Sequence, residues 1–345
     1  MICFNNDYSE GCHPHILNRL HQINLEQSSG YGMDHHCAKA AEKIRKLCGN
    51  DTLAVHFLVG GTQTNMTVIN AALRSHQGVL CAATGHIHVH ETGAVEATGH
   101  KILALPTDDG KISAAQIRSA VTTHREDTSM EHTVQPKMVY ISNPTELGTL
   151  YSKAELQAIS HVCREMGLYL FLDGARLGYG LTAAENDLTL EDLASLCDVF
   201  YIGGTKVGAL FGEAVVISSP AIAEDFRYLI KQHGAMLAKG WLLGVQFDVL
   251  FTDGLYFDIA RQANLLADRI RATLKELGHP LFVPGTSNQI FAVLPDSLLM
   301  ELGKEFTFTE QERVDDHHRA VRFCTSWATT PEQVESLCHT LKKLS

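Results

Sequence analysis

The 345-residue sequence lacks several patterns that would assign it to a familiar class at once. A membrane-spanning helix needs about 20 apolar residues, and no uncharged apolar stretch is that long. The first residues show no basic segment followed by an apolar core, so we expect no signal peptide. Neither GxGxxG nor GxxxxGK[ST] occurs at a strand–helix junction, which disfavours a dinucleotide or a nucleoside triphosphate as ligand.

Positive charge is also scarce. Lys and Arg number 28 against 39 Asp and Glu, which gives a formal net charge of -11. This balance argues against a nucleic-acid partner, because a phosphate backbone attracts basic surfaces. The nine cysteines are an odd number and form no CxxC. We therefore expect free thiols in a reducing compartment and a cytoplasmic protein.

The sequence does contain the composition of a globular protein, with 45% hydrophobic and 19% charged residues. From about residue 51, short apolar runs alternate with helical patterns, which predicts an α/β fold with a mainly parallel sheet. Helices are predicted at 113–123 and 152–166. The predicted strands are 53–58, 79–82, 101–105, 137–142, 168–172, 199–202 and 214–217.

The pattern changes after residue 217. A helical stretch covers about 221–277, with possible breaks at Gly234, Gly240 and Gly254. It is followed by a strand (289–294), a helix (296–306), a strand (320–326) and a helix (331–344). The length suits two domains. We predict an N-terminal arm with a large α/β domain over 1–253 and a small α+β domain over 254–345.

Two of the apolar strands end in side chains of opposite charge. The run at 168–172 leads to Asp173, and the run at 199–202 leads to Lys206. Ligands of open α/β sheets bind beyond the carboxyl ends of the strands. A Lys that forms a Schiff base and an Asp that keeps a ring nitrogen protonated suit pyridoxal 5'-phosphate. Alone, the Asp could be a helix cap and the Lys a solvated loop residue.

A glycine-rich turn precedes this pair. Gly60-Gly61-Thr62-Gln63-Thr64-Asn65 follows a predicted strand and opens a helix. Small residues let backbone N–H groups approach an anion, and a helix N-terminus adds partial positive charge. By itself the turn could be an ordinary connection. Beside the Asp–Lys pair it favours a site for the cofactor phosphate, with Gly61 and Thr62 as donors.

Three histidines follow the strand that ends near residue 82. His86 could stack on a pyridine ring. His86, His88 and His90 alternate at period two and would share a face of a strand, which leaves a metal hydrolase as an alternative. The strand is expected to end before His86, and HExxH is not met, so we predict no metal site.

Two arginines are placed to meet anionic groups. Arg176 follows Asp173 by three residues and should lie near the edge of the ring. Arg322 lies on a predicted strand of the small domain, where it could hold a substrate carboxylate with two parallel hydrogen bonds. A surface ion pair is the alternative for Arg322.

Taken together, these motifs resemble those of the threonine aldolase family, fold-type-I pyridoxal-phosphate enzymes of the wider β-eliminating lyase group. The resemblance runs nearly from end to end. It rests on Asn6-Asp7-Tyr8-Ser9, Gly30-Tyr31-Gly32-Met33-Asp34, the turn at 60–65, Gly85-His86, Leu172-Asp173-Gly174-Ala175-Arg176, Gly204-Thr205-Lys206, Ser287-Asn288-Gln289 and Arg322-Phe323-Cys324-Thr325.

The resemblance implies a role for each cofactor residue. Lys206 carries the cofactor, Asp173 faces its ring nitrogen and His86 stacks on its ring. Arg176 lies beside the ring oxygen. Gly61 and Thr62 hold the phosphate.

On the substrate side the resemblance assigns Arg322 to the carboxylate, together with Asn6 and Tyr31. His132 stands where family members carry a second active-site histidine, so His86 and His132 are both candidate bases. Family members also share sites between subunits, which implies a homodimer or homotetramer. Lys231 and Lys239 are candidates for contacts across that interface.

The implied reaction is retro-aldol cleavage of a β-hydroxy-α-amino acid to glycine and an aldehyde. Another reaction on the same scaffold, such as β-elimination or transamination, remains an alternative, and so does a cofactor-binding protein without turnover. The sequence departs from the family at Asn5-Asn6-Asp7-Tyr8, at Pro144-Thr145-Glu146-Leu147 and at Trp327, all near the expected substrate side.

Overall fold

A seven-stranded sheet lies at the centre of the computed structural model, which describes all of residues 1–345. The strands in chain order are β1 (Ile2–Cys3), β2 (Ala54–Leu58), β3 (Gln77–Ala82), β4 (Lys101–Leu105), β5 (Gln135–Ser142), β6 (Tyr169–Asp173), β7 (Val199–Gly203), β8 (Glu213–Ile217), β9 (Leu281–Val283), β10 (Gln289–Pro295), β11 (Phe306–Thr307), β12 (Thr309–Arg313) and β13 (His318–Cys324).

Helices cover both faces of this sheet and one side of the C-terminal region. The α-helices in chain order are α1 (Pro14–Ile23), α2 (His35–Leu47), α3 (Gly61–Ala72), α4 (His86–Val89), α5 (Ala94–Ala97), α6 (Ala114–Glu126), α7 (Lys153–Met166), α8 (Leu177–Leu181), α9 (Leu190–Leu196), α10 (Pro220–Ala223), α11 (Phe226–Gln232), α12 (Trp241–Leu250), α13 (Leu255–Glu276), α14 (Asp296–Leu302) and α15 (Pro331–Leu344).

The large sheet has the order β2-β8-β7-β6-β5-β3-β4. All of its strands run in one direction except β8, which is antiparallel to both β2 and β7. A parallel pair needs a crossover of a dozen or more residues, and only residues 204–212 join β7 to β8. The prediction of a mainly parallel sheet is confirmed, and all seven predicted strands are present.

Helix α7 shows why the helix prediction for residues 152–166 succeeded. The Ser152 hydroxyl accepts a hydrogen bond from the Glu155 backbone N–H, and the Glu155 carboxylate accepts one from the Ser152 backbone N–H. This capping box fixes the start of the helix. Gly167 ends it in the left-handed region with φ 67, which glycine adopts without steric cost.

A four-stranded antiparallel sheet of order β12-β13-β10-β9 forms the C-terminal region. The predicted helix at 296–306 is too long, because it ends at Leu302 and Phe306 enters β11, which pairs with β1. The sequence pattern also does not predict β12. Its residues are polar and mostly exposed, so they carry no alternating apolar pattern.

Helix α13 connects one hydrophobic core of the large sheet with the core of the C-terminal region. It begins after Gly254, which has φ 78. Tyr256 and Ala260 pack in a core of the large sheet. Leu266 and Ile270, further along the helix, pack in the core of the C-terminal region. The domain division at residues 253 and 254 therefore falls at the start of a shared helix and stays a prediction.

The N-terminal residues pack against parts of the chain that are distant in sequence. Strand β1 pairs in parallel with β11. Phe4 is fully buried in the core of the C-terminal region. None of the helices combines the length and the apolar character that crossing a membrane would require.

Candidate active site

A cavity of about 760 Å³ opens at the carboxyl edge of the large sheet. The parallel strands end together there, so residues that are distant in sequence meet in one place. The residues that follow β2, β3, β5, β6 and β7 line this cavity, and β13 adds Arg322. Among the lining residues are Gly61, Thr62, His86, Glu146, Asp173, Arg176, Lys206 and Arg322.

Asp173, the last residue of β6, is almost fully buried at the floor of the cavity. Its Oδ2 accepts hydrogen bonds from the Tyr140 hydroxyl and from Asn65 Nδ2. Its Oδ1 accepts one from the Ala175 backbone N–H at 2.9 Å. Hydrogen bonds of this kind stabilise a buried carboxylate. Asp173 therefore presents a fixed negative charge to the cavity.

A chain of hydrogen bonds links Asp173 to His86. Asn65 Nδ2 donates both to Asp173 Oδ2 at 3.2 Å and to Glu91 Oε1 at 2.7 Å. His86 Nδ1 lies 2.7 Å from the same Glu91 oxygen. The Glu91 carboxylate is fully buried, whereas 36% of the His86 side chain is exposed. A proton on Nδ1 would face Glu91 and leave Nε2 free to act as an acceptor.

A second carboxyl group supports the loop that carries His86. Glu146 Oε1 accepts hydrogen bonds from the His86 backbone N–H at 2.9 Å and from the Ser142 hydroxyl at 2.7 Å. Burial raises the pKa of Glu146 above its usual value, and the neighbouring Asp173 charge acts in the same direction. Glu146 thus fixes the start of α4 from the end of β5.

Arg176 is held by a bidentate ion pair with Asp7. Arg176 Nε lies 2.7 Å from Asp7 Oδ2, and its terminal nitrogen lies 3.0 Å from Oδ1. Asn288 Nδ2 donates to the same carboxylate at 2.9 Å. Burial alone would raise the pKa of Asp7, but the charges of Arg176 and Lys206 and these hydrogen bonds lower it to about 2.

Lys206 lies in the turn between β7 and β8, on the same side of the sheet as Asp173. Burial lowers the pKa of Lys206, and the Arg176 charge lowers it further. The neighbouring carboxylates Asp7, Asp173 and Glu213 oppose this shift. A lysine with a lowered pKa has a larger neutral fraction, which is the nucleophilic form of an amine.

The glycine-rich turn forms an open helix N-terminus at the cavity wall. Gly60 precedes α3, and no side chain caps the first N–H groups of this helix. A Cβ atom at Gly60 would meet nothing within 4 Å, so the space above the turn is free. Uncapped N–H groups and the helix dipole together fit an anion such as a phosphate.

Arg322 reaches the cavity from β13 and keeps part of its hydrogen-bonding capacity. One terminal nitrogen donates to Gln289 Oε1 at 3.2 Å, and the other donates to the Asn5 carbonyl at 3.0 Å. No carboxylate lies within ion-pair distance of this guanidinium. A positive charge without a carboxylate partner is suited to an anionic ligand.

The structure does not bring His132 to the cavity, which corrects the expectation that it acts with His86. His132 is exposed in a 3-10 turn, Met130–His132, that precedes β5. β5 is roughly 23 Å long at about 3.3 Å per residue, and its carboxyl end carries Ser142 at the cavity. His132 therefore lies at the opposite edge of the sheet.

Two further expected residues also lie outside the cavity of their own subunit. The Asn6 side-chain oxygen accepts hydrogen bonds from the Tyr8 backbone N–H and the Ser9 hydroxyl, each at 2.9 Å. Asn6 thereby stabilises a local turn, and Tyr8 lines the cavity instead. Tyr31 is half exposed in a separate surface depression that also contains Arg227.

The residues that hold the expected ones in place have no role assigned from the sequence: Asp7, Asn65, Tyr140, Glu91, Glu146 and Asn288. Asp7, Asn65 and Asn288 lie inside motifs that carried the resemblance, so their position in those motifs was an available signal. No local sequence pattern predicts the roles of Tyr140 and Glu146. Their partners come from other strands and loops.

The chain matches the β-eliminating lyase family model over residues 8–295. The chain belongs to the β-eliminating lyase family. This lyase is 32% identical to a low-specificity L-threonine aldolase of a Pseudomonas species, over 97% of this chain and 95% of the relative. The resemblance to the threonine aldolase family is thus confirmed.

Solved structures support the same relationship. A Leishmania major threonine aldolase is 47% identical to this lyase, with a TM-score of 0.97 over 100% of this chain and 99% of that chain. A Thermus thermophilus aspartate aminotransferase is 15% identical, with a TM-score of 0.73 over 100% of this chain and 96% of that chain. The second likeness shows a shared fold, which confirms the fold-type-I prediction.

The cavity of this lyase fits pyridoxal phosphate, the cofactor of its family. Asp173 supplies a buried carboxylate for a basic ring nitrogen, and Lys206 supplies an amine with a lowered pKa. The uncapped start of α3 supplies N–H groups for a phosphate. The enzyme therefore uses pyridoxal phosphate, and the expected residues Lys206, Asp173, Arg176, Gly61, Thr62 and His86 all line one cavity.

Proposed function

We propose that this lyase is a threonine-type aldolase that cleaves a β-hydroxy-α-amino acid to glycine and an aldehyde. The main support is that Lys206 and Asp173 line one cavity. Arg322, which has no carboxylate partner, lines the same cavity. Cofactor chemistry and carboxylate recognition are then available at the same place. The curated relatives named as low-specificity L-threonine aldolases support this reaction.

In this proposal the cofactor is held at three points. Gly61 and Thr62 would bind its phosphate, Asp173 would face its ring nitrogen and Lys206 would bind its aldehyde carbon. When bound, pyridoxal phosphate accepts the electron pair that remains on the α-carbon after the bond to the β-carbon breaks. The buried negative charge of Asp173 supports this by keeping the ring nitrogen protonated.

Arg322 holds the substrate carboxylate. Its two terminal nitrogens already donate to Gln289 and to the Asn5 carbonyl, which fixes the plane of the guanidinium. An arginine with a fixed plane binds a carboxylate in one orientation. Fixing the carboxylate also fixes which bond at the α-carbon is placed to break.

His86 is the base that removes the proton of the β-hydroxyl group. The Glu91 carboxylate orients the ring through Nδ1 and leaves Nε2 to take the proton. The nearby carboxylate also stabilises the positive charge that the ring gains. A general base of this kind contributes roughly 10²–10⁴-fold to the rate.

The products distinguish this reaction from other reactions of the same fold. We expect the cofactor-loaded enzyme to release glycine and acetaldehyde from threonine or allo-threonine. Release of ammonia and a keto acid instead would show β-elimination. Both products can be quantified by mass spectrometry in the same sample.

Replacement of Lys206 tests the site itself. Lys206→Ala should lose turnover by several orders of magnitude and should no longer bind the cofactor covalently after borohydride treatment. Lys275→Ala is the matched control, since Lys275 is exposed near the end of α13. Parental turnover by Lys206→Ala would refute the assignment.

The enzyme is also proposed to be a homo-oligomer with shared sites. Tyr31 lies outside its own cavity, and the Lys231 ammonium lies 5.1 Å from the centre of its ring. Arg227 donates to the Tyr31 carbonyl at 3.1 Å. These residues form a basic and aromatic patch, and Lys239 follows Ala238, whose carbonyl accepts a hydrogen bond from the Tyr31 backbone N–H. In the assembly this patch would close the cavity of a neighbouring subunit and contact the phosphate and the substrate.

Hybrid assemblies test this arrangement. Tyr31→Ala and Lys206→Ala, co-expressed with different affinity tags, should form hybrids that regain part of the activity, because one site then carries neither substitution. Lys206→Ala with Arg322→Ala should regain none, because both residues belong to the same cavity. Equal activity of the two hybrids would rule out a shared site.

A reducing, cytoplasmic location is proposed from the thiols. All nine cysteines are free, and seven of them are buried. Disulfides are rare in reducing compartments. Thiol titration of the freshly isolated, denatured protein without reductant should give nine thiols, and cell fractionation should place the activity in the cytosol.

A further inference from the structure

Outside the active site, three potential metal ligands converge at the start of α2. His35 and His36 are the first two residues of this helix, and Glu26 lies in the segment between α1 and α2. One nitrogen from each of His35 and His36 and a Glu26 carboxylate oxygen all lie within 4.8 Å of one another. No other group of three His, Cys, Asp or Glu side chains in the chain meets this condition.

Two of the three distances between these ligand atoms are close to those of a tetrahedral zinc site. Zinc lies about 2.0–2.1 Å from histidine nitrogen and about 2.0–2.2 Å from carboxylate oxygen, so two tetrahedral ligands are roughly 3.4 Å apart. Glu26 Oε1 lies 3.2 Å from His35 Nε2 and 3.3 Å from His36 Nε2. Both distances are close to this tetrahedral edge.

The burial of His36 is a second, independent observation. Its side chain is 1% exposed, and its Nε2 has no hydrogen-bond partner. This nitrogen lies close to Glu26 Oε1, but the two atoms do not form a hydrogen bond. A buried polar atom without a partner costs about 1–3 kcal/mol. An ion between the two imidazoles and the carboxylate would give this nitrogen a partner.

The charges around the site have both signs, because Asp34 at the start of α2 opposes Arg19, whose charge also acts on His36. Asp34 caps α2, because its Oδ1 accepts a hydrogen bond from the Cys37 backbone N–H at 2.8 Å. Its Oδ2 is buried without a hydrogen-bond partner. Its charge offsets the positive end of the helix dipole, which would otherwise disfavour a cation there.

We infer that Glu26, His35 and His36 form a binding site for a divalent transition metal, for which zinc is the best fit. Two imidazoles and one carboxylate are a ligand set that zinc accepts, with a fourth position left for water. Such an ion would join the segment 24–34 to the first turn of α2. That segment contains Tyr31, which lies outside the cavity of its own subunit.

Zinc binding to the cofactor-loaded, chelator-treated enzyme tests the inference directly. Isothermal titration with Zn²⁺ should show a binding event that is lost in His35→Ala and in Glu26→Gln. Each affinity should fall by more than the roughly 10–100-fold that removing a hydrogen-bond partner of a metal ligand costs. Both variants should fold, since 64% of the His35 side chain is exposed and Glu26→Gln preserves shape.

His161→Ala is the matched control. His161 Nε2 lies 3.7 Å from Glu165 on the exposed face of α7, and no third ligand joins this pair. Its zinc affinity should equal that of the parent. Substitution with Co²⁺ should give a visible spectrum of nitrogen and oxygen ligands without a thiolate charge-transfer band, which excludes the cysteines as ligands.

Three outcomes would overturn the inference: no zinc bound by the parent, equal binding by His35→Ala and the parent, or a thiolate spectrum with cobalt. Neither these outcomes nor the expected one depends on turnover. The test of the metal site is therefore separate from the test of the aldolase reaction.

Discussion

At the scale of single residues, the catalytic groups depend on buried partners that hold them. His86 contacts Glu91 through Nδ1 and Glu146 through its backbone N–H. Asp173 is fixed by Tyr140 and Asn65. A base that is held in one orientation loses less entropy in the reaction, so these partners should affect rate more than substrate affinity.

Glu91→Gln should lower kcat by about tenfold or more and change KM much less. The amide keeps the size of the side chain but removes the negative charge beside the imidazole. Part of the roughly 10²–10⁴-fold contribution of a general base should then be lost. Glu96→Gln, on the exposed face of α5, is the control. Identical kcat values for the two variants would show that Glu91 does not position the base.

Lys206 and Asp173 were predictable from sequence because each ends a buried apolar strand, and such ends meet at one edge of a parallel sheet. Glu146 was not predictable, since its role depends on a contact with the distant loop that carries His86. Glu91 lies five residues after His86 and also contacts Asn65 of α3, and no pattern in the sequence marks it. The expected position of His132 in the cavity was wrong for a related reason, because the sheet decides at which edge a residue lies. His132 precedes its strand, so the sheet carries it to the opposite edge.

At the scale of elements, the site requires β6 and β7 to end in close contact. The Gly203 backbone N–H donates to the Gly174 carbonyl at 2.9 Å. A Cβ at Gly174 would lie 1.9 Å from the Tyr201 carbonyl oxygen, and one at Gly203 would lie 2.3 Å from that of Ala175. Only glycine permits this approach, which brings Asp173 and Lys206 to the same cavity.

Gly174→Ala should therefore destabilise the protein by at least about 3 kcal/mol, the upper end of the usual cost of overpacking. Thermal unfolding and cofactor content should both show the loss, and an insoluble product would show it more strongly. Gly11→Ala is the control, since a Cβ there meets nothing within 4 Å. An unchanged melting temperature for Gly174→Ala would contradict the proposed close contact.

At the scale of the whole molecule, Asp7 connects three distant parts of the chain. It comes from the N-terminal segment, forms an ion pair with Arg176 after β6 and accepts a hydrogen bond from Asn288 before β10. Removing one partner of a buried ion pair costs about 3–5 kcal/mol. The ion pair at the active site therefore also stabilises the arrangement of the two sheets.

Asp7→Asn should lower the free energy of unfolding at neutral pH. It should also make this free energy depend less on pH in the acid range. The folded pKa of Asp7 is about 2, below the unfolded value of 3.8. Its stabilisation is therefore present above the unfolded pKa and is lost as the pH falls through the folded one. The shift corresponds to about 2 kcal/mol between pH 5 and pH 2.

Urea unfolding of the cofactor-loaded parent and of Asp7→Asn between pH 5 and pH 3 measures roughly half of this pH-dependent stabilisation by Asp7. The parent should lose about 1 kcal/mol more than the variant over that interval. Parallel pH profiles for the two proteins would show that Asp7 is not held as a charged group in the folded state.

The sequence by itself determined the alternation of strands and helices, the position of the glycine-rich turn and the pair of charged strand ends. Each of these depends on local propensity or on the short periodicity of buried strands. The motifs near the same residues also identified the family. These features do not depend on which loops meet, so local sequence is sufficient to predict them.

The tertiary structure decided which side chains meet. It placed Asp7 on Arg176, Glu146 at the His86 backbone and Asn288 on Asp7, and these pairings join segments from different parts of the chain. It also removed His132 from the cavity and made β8 antiparallel. Contacts of this kind depend on strand order and loop length, which bring distant residues together and leave no periodic signal in the sequence.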